Sequence, residues 1–142
     1  MPAQTKLSKT MINAYNTAHY RVTGPPEFVL RMWKKSPELA KLYQEHGYQS
    51  AMFITAYNPY SRKTDRNLNI RAHKHLKNEL TQMKVPFFDG VGGDPSGHWK
   101  AEPSFLVLGV TPQTAKEMAL KYKQNAVVWV DSDTAPQLIL MR

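Results

Sequence analysis

The chain contains no cysteine, which excludes disulfides, thiolate metal ligands and a thiol nucleophile. No stretch approaches the roughly 20 apolar residues of a membrane-spanning helix, and none near the N-terminus resembles a leader. A soluble protein without a secretory signal or membrane partner is therefore expected, with a bacterial or phage cytoplasm as its setting. The lysine and hydroxyl ending of a phosphate-binding loop is missing, as is the spacing of a dinucleotide fingerprint. The five histidines are scattered and match no metal-ligand spacing, so neither a metal nor a cofactor is expected. Internal repeats and low-complexity tracts are also absent.

What is present is 142 residues with a net charge of +8, enough chain for one domain to bury a core without staples. The charge is uneven. Residues 62–84 hold seven Lys and Arg against two Asp and Glu, whereas residues 85–142 hold five against six. Such a basic segment concentrates an anionic partner, although solvated lysines on a helix face account for it equally well.

Residues 1–8 read as a loosely held end, after which Met11, Ala14, Tyr15 and Ala18 recur at helical spacing. Tyr20 to Val22 and Phe28 to Trp33 alternate about Gly24-Pro25-Pro26 and predict a hairpin. Ser36 offers an N-cap and Pro37 a first helical residue, with Leu39, Leu42, Tyr43 and His46 on one face up to Gly47. Ala51 to Tyr57 is a nearly continuous apolar run suited to a strand covered on both faces. Asp65 or Thr64 caps the next helix, with Asn69, Ala72, His73, Leu76, Leu80 and Met83 facing inward. Val85 to Val91 and Ser104 to Val110 predict strands. Thr111 and Pro112 open a helix carrying Ala115, Met118, Ala119 and Tyr122, and Ala126 to Val130 and Gln137 to Leu140 close the chain as strands.

From Ala51 to Val130 the order is strand, helix, strand, strand, helix, strand. This is the split βαβ pattern of ferredoxin-like folds, here with an N-terminal helix, hairpin and helix added. The expected class is α+β, one domain over residues 1–142, with the four strands in one sheet and two helices on one face; a three-layer α/β sheet is the alternative.

Ile54-Thr55-Ala56-Tyr57-Asn58-Pro59 with Ser61, Asn69 and Leu76, then Gly93-Asp94 and Trp99, Glu102-Pro103-Ser104-Phe105-Leu106 and Gln124-Asn125-Ala126 form an ordered set of motifs. On these the chain resembles an uncharacterised bacterial domain family, domain-of-unknown-function family 3293, from about Tyr15 to Leu140. The resemblance implies no activity, cofactor or partner. It implies only that the family's polar motifs sit in loops.

Loops leaving a buried strand are where a rigid scaffold presents side chains that packing does not require. Asn58, Tyr60, Ser61, Arg62 and Lys63 precede a helix, whose free N–H groups and dipole favour a phosphate or carboxylate there. Ordinary turn chemistry explains Asn58-Pro59 as well. Asn69 and His73 share the inward face; Arg71 is read as a further ligand contact. In the glycine-rich stretch from Gly90, Trp99 offers a stacking surface and Asp94 and His98 polar contacts, with a simple hairpin loop as the alternative. Glu102, at the start of a strand, is read either as a general base with His98 or as an ion-pair partner of Arg62 or Arg71. Gln124 and Asn125 are read as helix-end residues.

Two functional classes follow. One is a small-ligand protein, with nucleotide processing among its activities, that binds a phosphate- or carboxylate-bearing molecule through Asn58, Tyr60, Ser61, Arg62, Asn69, Arg71, Asp94 and Trp99, with Glu102 and His98 acting on it. The other is a basic module whose segment from Arg62 to Lys84 binds nucleic acid or an acidic protein. Ser104 to Val110 lacks the basic and aromatic alternation of an RNA-recognition strand, which favours the first.

Overall fold

The structure is a computed structural model and describes residues 5–93 and 100–142. Ser8 caps the first helix, α1 (Lys9–Thr17), by accepting the Met11 N–H. The hairpin of β1 (His19–Val22) and β2 (Phe28–Arg31) follows, then α2 (Pro37–His46), where the Ser36 hydroxyl accepts the Leu39 N–H at 3.1 Å. After β3 (Ala51–Ile54) come α3 (Arg66–Met83), β4 (Phe87–Gly93) and β5 (Glu102–Leu108). The chain ends with α4 (Pro112–Lys121), capped by Thr111, then β6 (Ala126–Val130) and β7 (Pro136–Leu140).

The strands form one sheet in the order β2-β1-β4-β5-β3-β6-β7, every neighbouring pair antiparallel. The class is α+β, and the three-layer α/β alternative, which requires parallel pairs, does not hold among the described strands. The four strands expected to share a sheet lie side by side as β4-β5-β3-β6.

Strand alternation divides the core between two faces. On the outer face, Leu76 and Leu80 of α3 and Ala115, Met118 and Ala119 of α4 bury Met52, Ile54, Phe105, Val107 and Val127. The inner face carries Tyr20, Val22, Phe28, Leu30, Phe53, Leu106, Leu108, Val128 and Val130, packed with Leu39, Leu42 and Tyr43 of α2. Because residues of β1 and β2 share this cluster with β6, the sheet curls over its inner face. Its two edges meet at one point, where the Trp33 N–H just beyond β2 donates to the Pro136 carbonyl of β7 at 2.9 Å. No helix among the described residues is long and apolar enough to cross a membrane.

One strand boundary differs from expectation in a way that makes the site. β3 stops at Ile54 rather than continuing to Tyr57. The Thr55 hydroxyl donates to the Pro103 carbonyl at 2.8 Å and accepts the Tyr57 N–H at 3.0 Å, turning the chain off the ladder.

Candidate functional site

The turn that Thr55 begins is built from residues in an unfavourable backbone region. Asn58, Tyr60 and Ser61 have φ of 48°, 55° and 60°, where a side chain costs roughly 1–2 kcal/mol per residue. Other parts of the chain hold them there. The Tyr60 N–H donates to the Lys123 carbonyl at 2.7 Å and the Ser61 N–H to the Asn58 carbonyl at 2.8 Å. Clusters of such strain occur where the surrounding structure fixes a functional geometry.

Asn58 is the hub. Its backbone N–H donates to Asn69 Oδ1 at 2.9 Å, and its Oδ1 accepts both Asn69 Nδ2 at 2.9 Å and the Thr64 N–H at 3.1 Å. Its Nδ2 donates to Glu102 Oε2 at 2.7 Å. Asn69, on the inward face of α3, is buried, so the pairing satisfies two amides at once.

Between this turn and α3 lie residues 62–65, and the helix is closed by its own carboxylate: Asp65 Oδ2 accepts the Asn67 and Leu68 N–H groups. The first donors of α3, expected to attract an anion, are thus taken within the chain.

Glu102 opens β5 and sits opposite Gly92, which in turn sits opposite Tyr20. Directly opposed residues share a face, so Tyr20, Gly92 and Glu102 form one row across the inner side of the sheet. Burial pushes the Glu102 carboxyl up from its ordinary 4.5 to about 7, against the opposing hydrogen bond from Asn58. Neither Arg62 nor Arg71 forms an ion pair with it, and no other cation among the described residues does so.

These groups line a cleft of about 1220 Å³. Its lining is apolar in part, from Tyr20, Phe53, Val128 and Leu138, and polar in part, from Thr55, Asn58, Asp65, Asn69, Glu102, Ser104 and Gln124. Lys63, Arg66 and Lys100 also line it and are exposed to solvent. Tyr15 reaches in from α1, where its hydroxyl shares a hydrogen bond with Ser61 Oγ at 2.9 Å. Burial raises the Tyr15 pKa, and the charge of Glu102 acts in the same direction. Asn125, buried behind Ser61, donates to the same Oγ at 2.9 Å.

Of the residues singled out in the sequence, the cleft gathers Asn58, Ser61, Lys63, Asn69 and Glu102. Tyr60, Arg62 and Arg71 are not among its lining residues; Tyr60 instead carries the Arg142 guanidinium 4.4 Å above its ring. Asp94, His98 and Trp99 lie outside the described residues. His73 faces the outer core, stacked on Phe105 with ring centroids 4.5 Å apart, and burial lowers its pKa.

Sequence reasoning did not assign Tyr15, Tyr20, Gly92, Arg66 or Lys100 to the site. Thr55 and Ser104 stand among the motifs without a role, and Gln124 and Asn125 only as helix-end residues. Gln124 in fact donates to the Tyr57 carbonyl at 3.2 Å, tying the turn to the start of β6.

A family model described as "Protein of unknown function (DUF3293)" matches residues 54–127, just over half of the chain, and the chain belongs to this family. The matched stretch runs from the end of β3 into β6, shorter than the span from Tyr15 to Leu140 over which the resemblance was drawn. No curated protein and no solved structure matches the chain.

Proposed function

We propose that the chain binds an anionic small molecule in the cleft and that Glu102 exchanges a proton with it. The observation that carries this reading is the state of the Glu102 carboxyl. It lines the cleft, is held by one neutral amide and has a pKa of about 7. A carboxyl that titrates near neutrality serves as acid or base at physiological pH, whereas a purely structural carboxylate is ordinarily paired with a cation. Lys63, Arg66 and Lys100 supply the attraction for a phosphate or carboxylate. Asn58 and Asn69 orient the carboxyl rather than contribute chemistry.

The test is a thermal-shift screen with nucleotides, phosphorylated metabolites and carboxylic acids, run on the native chain and on Glu102→Gln at pH 6 and pH 8. The expected result is a subset of anions that stabilises the native chain, with a response to pH that the variant lacks. If no anion stabilises the native chain, the reading fails.

A second reading uses the outer surface. Arg66, Arg71, Lys74 and Lys77 of α3 are exposed beside Leu68 and Ile70, which are 55% and 44% exposed, a mixture suited to a nucleic acid or an acidic protein. Tight oligonucleotide binding that weakens steeply with salt would favour it, because each phosphate contact releases counterions. We also read β3 to β6, with α3 and α4, as a ferredoxin-like unit; its support is the strand order β4-β5-β3-β6, with β1, β2 and β7 added at the edges.

A further inference from the structure

Two hydroxyls of the cleft hold more protons than the chain uses. Tyr15 Oη and Ser61 Oγ stand 2.9 Å apart, so one of their two protons makes the bond between them. Asn125 Nδ2 donates to Ser61 Oγ at 2.9 Å, which occupies a lone pair there and gives the second proton nothing to bond. Whichever hydroxyl donates to the other, one O–H is left over, and no acceptor among the described residues takes it. Both residues line the cleft.

Asn125 keeps this arrangement at a cost. Its Nδ2 is directed at Ser61 Oγ and, at 3.5 Å, at Met11 Sδ, while its Oδ1 is buried without a partner among the described residues. A buried acceptor left unpaired forfeits its hydration, so its presence calls for a compensating role. That role is to hold a donor on Ser61, which makes the Tyr15–Ser61 pair a donor toward the cleft.

The pair is also tied to Glu102. The Ser61 N–H donates to the Asn58 carbonyl at 2.8 Å, and Asn58 Nδ2 donates to Glu102. The Tyr20 hydroxyl donates to the Tyr15 carbonyl, and Tyr20 shares its row with Glu102. The charge of Glu102 is felt at the Tyr15 hydroxyl. Charge then decides what the free O–H receives. A permanently anionic oxygen there stands against a carboxylate that no cation among the described residues pairs with, and like charges repel. A carbonyl oxygen is neutral at rest and gains charge only as Glu102 loses its own by taking a proton, so the total stays at one negative charge throughout.

We propose that the cleft transfers a proton at a carbon beside a carbonyl group: Glu102 takes the C–H proton, and the free hydroxyl proton of Tyr15 or Ser61 holds the carbonyl oxygen. The substrate is a ketone or aldehyde that also carries a carboxylate or phosphate, which Lys63, Arg66 and Lys100 attract. This rests on the reading of the cleft as an anion site and names the proton that Glu102 exchanges. In the step, the C–H electron pair becomes the C=C bond of an enolate and the π pair of the carbonyl moves to oxygen, where the O–H donor stabilises it. The proton returns from Glu102 to carbon, and no co-reactant is needed.

Proton NMR in D2O reads the step as loss of the C–H signal beside the carbonyl. The probes are dihydroxyacetone phosphate and 2-oxobutanoate, with glycerol 3-phosphate and butanoate as ketone-free counterparts whose binding is read by calorimetry. The native chain is expected to speed deuterium uptake into at least one ketone by about 100-fold or more over buffer, at a rate that rises with pH through about 7 as Glu102 ionises. Glu102→Gln should return the rate to that of buffer. Tyr15→Phe with Ser61→Ala should slow uptake by about 100-fold or more, whereas a structural role alone would lower stability and leave the rate per folded molecule unchanged. Circular dichroism reports the fold of each variant. If the double variant does not fold, the single variants carry the test, and the larger loss marks the hydroxyl that faces the substrate. Uptake at the buffer rate with both ketones while glycerol 3-phosphate or butanoate binds, or an undiminished rate in the folded hydroxyl variants, would overturn the carbonyl assignment and leave the anion site standing. If none of the four probes binds, the anion site falls and this assignment with it.

Discussion

Asn58 Nδ2 donates to Glu102 Oε2 at 2.7 Å, across 44 positions of sequence, and is the one side-chain hydrogen bond to that carboxylate among the described residues. A neutral donor stabilises the ionised carboxylate less than a cation does. Burial therefore dominates, and the carboxyl stays near neutrality in its titration.

This has a measurable sign. Between about pH 4.5 and pH 7 the folded chain holds the Glu102 proton that the unfolded chain has released. Stability due to this group is full below 4.5 and falls as pH rises through 7, by up to about 3 kcal/mol. Urea unfolding of the native chain and Glu102→Gln at pH 5 and pH 8 checks it. The variant should lack this component and be the more stable of the two at pH 8. A variant several kcal/mol less stable at pH 8 would indicate a structural ion pair instead.

Asn58→Asp places a second carboxylate against Glu102 and removes the donor between them. The pair is expected to share a proton, raising the apparent pKa further. Stability should drop by about 1–3 kcal/mol at pH 8 and recover in part at pH 5. Equal losses at both pH values would show that the amide's hydrogen bonds to Asn69 and Thr64, and not its charge neutrality, matter most.

The two inward glycines of β4 should respond differently. Gly90→Ala forces a methyl against the Arg21 carbonyl and the Phe53 ring, at an expected cost of about 1–3 kcal/mol. Gly92→Ala meets only ordinary contacts and should cost less than about 1 kcal/mol. Chemical denaturation of both variants tests the contrast, and a larger loss for Gly92→Ala would contradict the ordinary contacts around its Cβ position.

Tyr15→Phe removes the hydroxyl shared with Ser61 while keeping the ring. Ser61 Oγ retains the Asn125 amide, so the loss should be modest, about 0.5–1.5 kcal/mol by thermal or urea unfolding. A loss of several kcal/mol would mean that α1 is held to the body chiefly through this contact.

Much of the framework was legible because its signals are local. Ser36, Pro37 and Gly47 bound α2, Thr111 and Pro112 start α4, and apolar runs mark β3, β5 and β6. The pairing of Asn58 with Glu102 in one concavity also follows from strand ends meeting at one edge of a sheet. Arg71 was misplaced because α3 starts at Arg66 with Asn69 inward; two positions on, a residue has turned about 200° around the helix. Tyr20, Gly92 and Tyr15 were not legible as site residues, because they depend on β1 pairing with β4 and on the curl of the sheet. Neither leaves a local pattern, and a register shift of one residue would have turned Tyr20 away.

The family match from residue 54 to residue 127 divides the cleft. Asn58, Lys63, Arg66, Asn69, Gly92, Lys100, Glu102 and Gln124 all fall within it, while Tyr15, Tyr20, Phe53, Val128 and Leu138 fall outside. A relative that keeps the matched stretch and varies the rest keeps the Asn58–Glu102 pair and the exposed Lys63, Arg66 and Lys100, and changes Tyr15, Tyr20, Phe53, Val128 and Leu138. The two parts of the cleft are therefore free to diverge at different rates: the Asn58–Glu102 pair lies in the shared segment, while Tyr15, Tyr20 and Leu138 come from the flanking N- and C-terminal strands and helix.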